Sequence, residues 1–212
     1  MTLKVAYFAP TIIAAGPTPA VEFAKMYSLI EQMHNTYSGI TDYTDPGVNI
    51  RGGQQITIPI TDSVRWLTDL IEEMCKGYMD LVSTQSVTQD LNFCEPKVIN
   101  LYTTKQSQGD YVEMHSHPAG NLSGNLYISV PDYAPGKFLS DGTDIFRLSQ
   151  TKDITKFIMQ DTWKYLPEPG TFVLFPSHVP HAVQPWKGEG HRIVLSFDAI
   201  IRVKEDIQNG NT

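Results

Sequence analysis

From residue 92 onward the sequence is dominated by short strand-like segments that alternate with turns. Hydrophobic and β-branched residues are concentrated in these segments, and glycines and prolines lie between them. Strands are predicted to begin near Lys97, Tyr111, Gly124, Lys137, Asp144, Thr171 and His191. A regular series of short strands is typical of a β-sandwich or a small barrel. The second half of the chain is therefore predicted to fold as an all-β unit.

Two helices are predicted before this unit. The first begins after Pro19, which suits the first turn of a helix. Its predicted apolar stripe consists of Val21, Ala24, Met26 or Tyr27, Ile30 and Met33. The second begins at Thr61 or Asp62, as the N-cap, and continues to about residue 82. One further strand is predicted at 4–8.

The chain is predicted to be a single domain over residues 1–212. Residues 1–91 form a helical and loop-rich part that packs on the barrel, residues 92–203 form the barrel core, and residues 204–212 form a tail. Helices before an all-β half favour a double-stranded β-helix, that is, a jelly roll or cupin-like barrel with helices on one sheet. A chain of this length can bury one sizeable core.

Charge and composition exclude several classes of protein. The net charge of −7 and the scattered lysines and arginines argue against a nucleic-acid-binding face. No run of 18 apolar residues and no signal-peptide pattern is present, so we expect a cytoplasmic protein without a membrane segment. Cys75 and Cys94 are predicted to be reduced structural thiols, because they form neither a Cys-x-x-Cys motif nor a disulfide framework.

The pair His115 and His117 is the sharpest chemical signal in the sequence. Residues i and i+2 of a strand point to the same side, so both imidazoles would project into one space. Imidazole is a good ligand for iron, zinc, copper and nickel. The pair is therefore a candidate half of a metal site, although two exposed histidines on a strand would produce the same short motif.

The other half of such a site is predicted after a strand that is apolar on both faces. This strand leads into a loop that contains His178 and His181, and Arg192 follows His181 eleven residues later. His181 is the better ligand candidate because of this spacing. His178 is assigned to the loop, His191 to a strand end and His34 to a helix surface.

The strand that begins at Arg192 has an informative alternation. Arg192, Val194 and Ser196 share one face, whereas Ile193, Leu195 and Phe197 share the other. A guanidinium inside a barrel is costly unless an anion meets it. Its fork matches a carboxylate ligand. The alternative is that Arg192 pairs with an internal Asp or Glu.

These motifs together resemble the 2-oxoglutarate- and iron(II)-dependent oxygenase superfamily. The usual pattern there is His-x-Asp/Glu, then His, then Arg or Lys about ten residues further on. Within that superfamily, a small prolyl-hydroxylase-like branch has a similar set of motif residues, here Asn100, His115-Ser-His117-Pro, Leu122-Ser-Gly124, Tyr127, Pro131, Phe175-Pro-Ser177, His181 and Arg192. The similarity covers roughly residues 95–200.

The resemblance implies a non-haem Fe(II) oxygenase that uses 2-oxoglutarate and O2 to hydroxylate or otherwise oxidise a substrate. His115 and His181 would bind iron. Arg192, helped by Ser196 and by Tyr127 or Asn100, would hold the distal carboxylate of 2-oxoglutarate. His117 stands where the superfamily usually has a carboxylate. The site is then either a three-histidine triad or one with an open coordination position.

The expected partner is a small-molecule or peptide substrate, with no nucleic acid and no membrane. The loop-rich residues 35–60 and 132–165 are predicted to form the rim that faces this substrate, with Tyr133, Trp163 and Trp186 as candidate contacts. A homodimer would form through an edge strand of the barrel or through the first helix.

A three-histidine cupin is the competing interpretation. The spacings Gly109-x5-His115-x-His117 and Gly170-x5-Pro176-x4-His181 are close to the two cupin motifs, but the glutamate and asparagine expected in those motifs are absent. Such a protein would be a dioxygenase or isomerase independent of 2-oxoglutarate, or a non-catalytic metal-dependent binding module. Arg192 distinguishes the two, because only the 2-oxoglutarate enzyme needs it.

Overall fold

The computed structural model describes residues 11–36, 50–85, 91–131, 144–147 and 162–204. Its elements in chain order are β1 (Ala14–Pro17), α1 (Ala20–Thr36), β2 (Ile50–Arg51), β3 (Gln54–Thr57), α2 (Arg65–Gln85), β4 (Cys94–Gln106), β5 (Tyr111–His115), β6 (Leu122–Ser129), β7 (Asp144–Arg147), β8 (Thr162–Tyr165), β9 (Thr171–Pro176), β10 (His181–Val183) and β11 (Arg192–Val203). The strands predicted at 4–8 and near Lys137 lie outside the described residues.

The strands form two antiparallel sheets. The larger sheet has the order β1-β9-β6-β11-β4-β3, and the smaller has the order β2-β5-β10-β7-β8. The longest pairing joins β11 to β4 from one end to the other, and β6 lies on the opposite side of β11. The predicted mainly β jelly roll with N-terminal helices is confirmed.

The N-terminal part of the chain contributes strands as well as helices. β1 pairs with β9 and β3 with β4 in the larger sheet, whereas β2 pairs with β5 in the smaller one. None of these strands was predicted, because each is short and lies beside glycine or proline. At these positions, hydrogen bonding to a neighbouring strand stabilises the extended backbone although the residues themselves have a low preference for strands.

The larger core lies between the helices and the larger sheet. Its fully buried side chains include Met26 and Ile30 of α1, Leu67 and Ile71 of α2, and Leu195, Phe197 and Ala199 of β11. The apolar stripe of α1 is narrower than predicted. Val21 is 78% exposed and Tyr27 is 40% exposed, whereas the buried positions are Met26, Ile30 and His34, four residues apart.

The prediction that His34 lies on the helix surface is wrong, because it continues this buried stripe. Its Nε2 lies 3.0 Å from the hydroxyl of Thr103, and its Nδ1 lies 3.0 Å from the side-chain amide of Gln54. The Thr103 hydroxyl itself donates to the backbone carbonyl of Val194 at 3.0 Å. Burial lowers the pKa of His34.

We expect the free energy of unfolding to fall as the pH is lowered from 7 to 5. The unfolded chain gains a proton at His34 near its ordinary pKa of about 6.5, whereas the folded protein resists that proton. Urea unfolding of the metal-free protein at several pH values measures this slope. The slope should be smaller in His34→Gln, and an unchanged slope would contradict the assignment.

A second core lies between the two sheets. It contains Tyr127, Phe146, Val173, Phe175 and Val194. Val194 points into this layer and Leu195 into the helical core, which confirms the alternation predicted for β11. No helix within the described part of the chain is long and apolar enough to cross a membrane.

Candidate metal centre and its cavity

Three histidines meet at one point, two of them on the smaller sheet and one just after it. One candidate ligand nitrogen from each of His115, His117 and His181 lies within 4.8 Å of the others. His115 ends β5 and is the direct cross-strand partner of His181, which begins β10. His117 follows β5 by two residues, and its backbone N–H donates to the carbonyl of Ser177 at 2.8 Å. The strand pairing and this bond bring the predicted ligands together.

Hydrogen bonds determine which nitrogen of two rings can accept a metal. Nδ1 of His115 lies 2.8 Å from the carbonyl oxygen of Glu113, and Nδ1 of His181 lies 3.1 Å from that of Val179. A carbonyl oxygen only accepts, so both Nδ1 atoms must carry the proton. The lone pair of each ring is then on Nε2. Such a bond to the other ring nitrogen is the usual partner of a metal-binding histidine.

The spacing of the rings fits a metal ion. Nε2 of His117 lies 3.3 Å from Nε2 of His181, and the two rings are nearly parallel. Two nitrogens bound at roughly right angles to one ion, each about 2.1 Å from it, would lie about 3.0 Å apart. Both rings are buried, and His181 also packs against Phe175, with ring centroids 4.6 Å apart. The three imidazoles are therefore a suitable ligand set.

Burial and the two neighbouring imidazoles hold the pKa of His181 well below its usual value. The ring is consequently neutral at physiological pH. A neutral imidazole is the form that binds a metal.

A buried carboxylate lies behind His117. Nδ1 of this ring is 3.1 Å from Oδ1 of Asp198, and both side chains are almost fully buried. The ring N–H is not well aligned with this oxygen, so the contact is short without being a hydrogen bond of good geometry. Burial alone would raise the pKa of Asp198, but contacts from His117, Ser123 and Asn100 keep it below its usual value.

Arg192 points into the barrel, as predicted, but its guanidinium already has protein partners. One NH2 group donates to Oδ1 of Asp144 at 2.7 Å, and the other donates to Oε1 of Gln106 at 2.6 Å. The ion pair is buried, with 2% exposure of both side chains. Burial raises the pKa of Asp144, while Arg192 and a hydrogen bond from Tyr127 oppose that rise. The internal-carboxylate interpretation of Arg192 is thus realised in the structure.

The predicted helpers of Arg192 occupy different places. Ser196 lines the same cavity and donates to Asn125 at 2.8 Å. The Tyr127 hydroxyl donates to Asp144, and its ring lies 5.5 Å from the guanidinium carbon. Asn100 lies elsewhere, since it donates to Asp198 at 3.1 Å. The two are opposite each other on β4 and β11, six residues along β11 from Arg192.

The candidate rim residues are mostly packing residues. Trp186 is 2% exposed in the core between the sheets, so its assignment to the rim is wrong. Its indole N–H donates to the carbonyl of Gly190, and its ring fills the space beside Gly188. Trp163 is half-buried on β8 and packs near Phe146, with ring centroids 5.5 Å apart. Tyr133 lies outside the described residues.

Metal ligands and guanidinium line one cavity, which encloses about 520 Å³ including its open mouth. Its remaining lining within the described residues is uncharged and consists of Gln55, Tyr102, Thr104, Gln106, Val112, Asn125, Val183, Val194 and Ser196. Gln55 and Tyr102 also line a wider groove of about 800 Å³ on the side of β3 and β4. The groove therefore adjoins the cavity through these two residues.

Sequence reasoning did not identify Asp144, Gln106 or Asp198. A signal existed for Asp198, because the alternation that puts Arg192 and Ser196 on the inner face of β11 continues to residue 198. Nothing in the sequence indicated that Asp144 would pair with Arg192. That contact depends on β7 lying next to β10 in the smaller sheet.

Comparison with known proteins agrees with this geometry. Residues 100–198 match a family described as "Putative 2OG-Fe(II) oxygenase". No curated protein sequence matches the chain.

Similar solved structures share the fold at low sequence identity. A prolyl-4-hydroxylase from Pseudomonas putida is 13% identical, with a TM-score of 0.57 and coverage of 90% of this chain and 93% of that one. HygX from Streptomyces hygroscopicus with nickel, 2-oxoglutarate and hygromycin B bound is 12% identical, with a TM-score of 0.56 and coverage of 90% and 83%. Residues 100–198, the span that matches this family model, carry the three histidines and Arg192.

Proposed function

We propose that this protein binds Fe(II) through His115, His117 and His181 and uses 2-oxoglutarate and O2 to hydroxylate a small-molecule or peptide substrate. When bound, the metal with its 2-oxo acid would supply O2 activation coupled to decarboxylation to succinate. The observation that carries the proposal is one cavity that contains three converging imidazoles and the guanidinium of Arg192. The family match supports the same reaction.

In this proposal Arg192 receives the distal carboxylate of 2-oxoglutarate. Two buried donors at this end of the cavity, Nε of Arg192 and Nε2 of Gln106, have no hydrogen-bond partner within the described part of the chain. Unpaired buried donors are costly, and an anionic acceptor would satisfy them. Asp144 already pairs with one NH2 group of the guanidinium, so the incoming carboxylate would bind the unpaired N–H donors beside a neutral ion pair rather than meet an isolated cation.

The substrate is proposed to approach along the groove beside β3. Gln55 and Tyr102 belong to both the groove and the cavity, so this groove leads toward the histidines. Its lining is uncharged and combines apolar with hydrogen-bonding groups, namely Thr57, Ile58, Pro59, Ile60, Ile99, Asn100 and Leu101. A neutral or weakly polar group of the substrate suits this surface. Residues 55 and 57–60 of the predicted rim line it.

Thermal unfolding tests the proposal. Mn(II), a redox-inert substitute for iron in this assay, should raise the melting temperature, and 2-oxoglutarate should raise it further only when the metal is present. Arg192→Lys retains the charge beside Asp144 but loses the two-pronged donor geometry, so it should retain the Mn(II) effect and lose most of the 2-oxoglutarate effect. Arg202→Lys is the matched control, because Arg202 lies on the same strand but is exposed.

A metal-dependent protein that does not use 2-oxoglutarate is the second candidate. The observation that favours it is the protein-bound guanidinium, since Arg192 already has Asp144 and Gln106 as partners. Stabilisation by Mn(II) alone, with no response to 2-oxoglutarate in wild type, would select this second candidate and contradict the first.

A further inference from the structure

We propose that Asp198 is a positioning residue that orients His117 and supplies, from behind the ring, the negative charge that the ligand set itself lacks. The inference rests on the proposed function, because it concerns the same metal site. All three candidate ligands are imidazoles, which bind a metal in the uncharged form, whereas the usual pattern of the superfamily contains one carboxylate. Here a carboxylate is present, but one ring away from the ligand cluster.

The first argument is the position of the carboxylate. Asp198 approaches His117 from the Nδ1 side at 3.1 Å, while Nε2 of the same ring faces Nε2 of His181 at 3.3 Å. The imidazole is thus placed between a carboxylate and the point where the ligands converge. A carboxylate on the far nitrogen of a metal-binding histidine fixes its tautomer and makes it a stronger ligand.

The second argument is that other side chains hold this carboxylate in place. Ser123 donates its hydroxyl to Oδ1 of Asp198 at 2.6 Å, and Asn100 donates to Oδ2 at 3.1 Å. The Ser177 hydroxyl lies 2.8 Å from that of Ser123 and must donate to it, because the Ser123 proton is used on Asp198. Asn100 lies on β4, Ser123 lies on β6, and Ser177 directly follows β9. Three separate parts of the fold therefore hold the carboxylate of Asp198 in place.

The third argument is that the same elements also hold the backbone of His117. Its N–H donates to the carbonyl of Ser177, and Asn121 is hydrogen-bonded to both Ser177 and the backbone of β11. The serine and asparagine motifs singled out in the sequence therefore converge on Asp198 and His117. They do not converge on Arg192.

A double-mutant cycle tests the inference. Co(II) affinity is measured by titration of the full chain, with the visible spectrum of bound Co(II) as a second readout. Asp198→Asn keeps the shape and an acceptor oxygen but removes the charge, and it should weaken Co(II) binding about 10- to 100-fold and change the spectrum. The same substitution in a His117→Ala background should have little further effect, because it would act through that ring.

Asp144→Asn is the matched control for metal affinity, since Asp144 is the other buried carboxylate of the barrel and contacts no histidine in the described structure. Its Co(II) affinity should be close to that of wild type. Equal Co(II) affinities for wild type and Asp198→Asn would overturn the inference alone, and so would additive losses in the cycle. Absence of Co(II) binding by wild type would overturn the proposed function and this inference with it.

Discussion

His181→Ala is expected to abolish measurable metal binding, with a loss greater than the roughly 100-fold upper range for residues that only support a ligand. His181 is the single candidate ligand from β10, and it faces both other rings, with centroids 4.2 Å and 5.0 Å away. Removal of its imidazole leaves two histidines that are both close to β5. Isothermal titration with Ni(II) or Co(II) measures the effect directly.

His178→Ala is the matched control for this experiment. His178 lies in the same turn between β9 and β10 but is exposed, so its loss should leave metal affinity unchanged. His181→Gln serves as a second variant, since it fills most of the space beside Phe175 and limits the cost of an empty cavity. Metal binding that survives in both His181 variants, or that is lost in His178→Ala, would contradict the assignment.

Arg192→Met is expected to lower the free energy of unfolding by about 3–5 kcal/mol, the usual cost of removing one partner of a buried ion pair. Asp144 would then remain buried without its cation, with Tyr127 and Asn125 as its remaining donors in the described part of the chain. The loss of stability is measured by urea unfolding of the metal-free protein. A loss below about 1 kcal/mol would show that the pair behaves like an exposed one.

The double variant Arg192→Met/Asp144→Asn separates charge from packing. With the carboxylate neutralised, most of the lost stability should return, whereas 2-oxoglutarate binding should remain absent. Equal instability of the single and double variants would contradict this account of the pair. This control is needed because loss of 2-oxoglutarate binding in Arg192→Met alone could reflect a loosened barrel.

Patterns along a single strand were readable from the sequence, whereas contacts between strands were not. Alternation placed Arg192 and Ser196 on the inner face of β11. The i, i+2 spacing also predicted that His115 and His117 lie together, although β5 ends at His115 and His117 is held by its backbone bond to Ser177. Asp144 and Gln106, by contrast, reach Arg192 only because separate strands of the two sheets meet around it. The surface position predicted for His34 was wrong because Gln54 and Thr103 supply polar partners that offset the cost of burying its imidazole.

Side chains from both sheets line the cavity. The histidine cluster lies on the smaller sheet, whereas Asp198 and Arg192 lie on β11 in the middle of the larger one. Ligands bound between them would act as a clamp across the barrel. Above the dissociation constant, each tenfold rise in the free metal concentration would then add about 1.4 kcal/mol to the free energy of unfolding. A chelator would loosen both layers together.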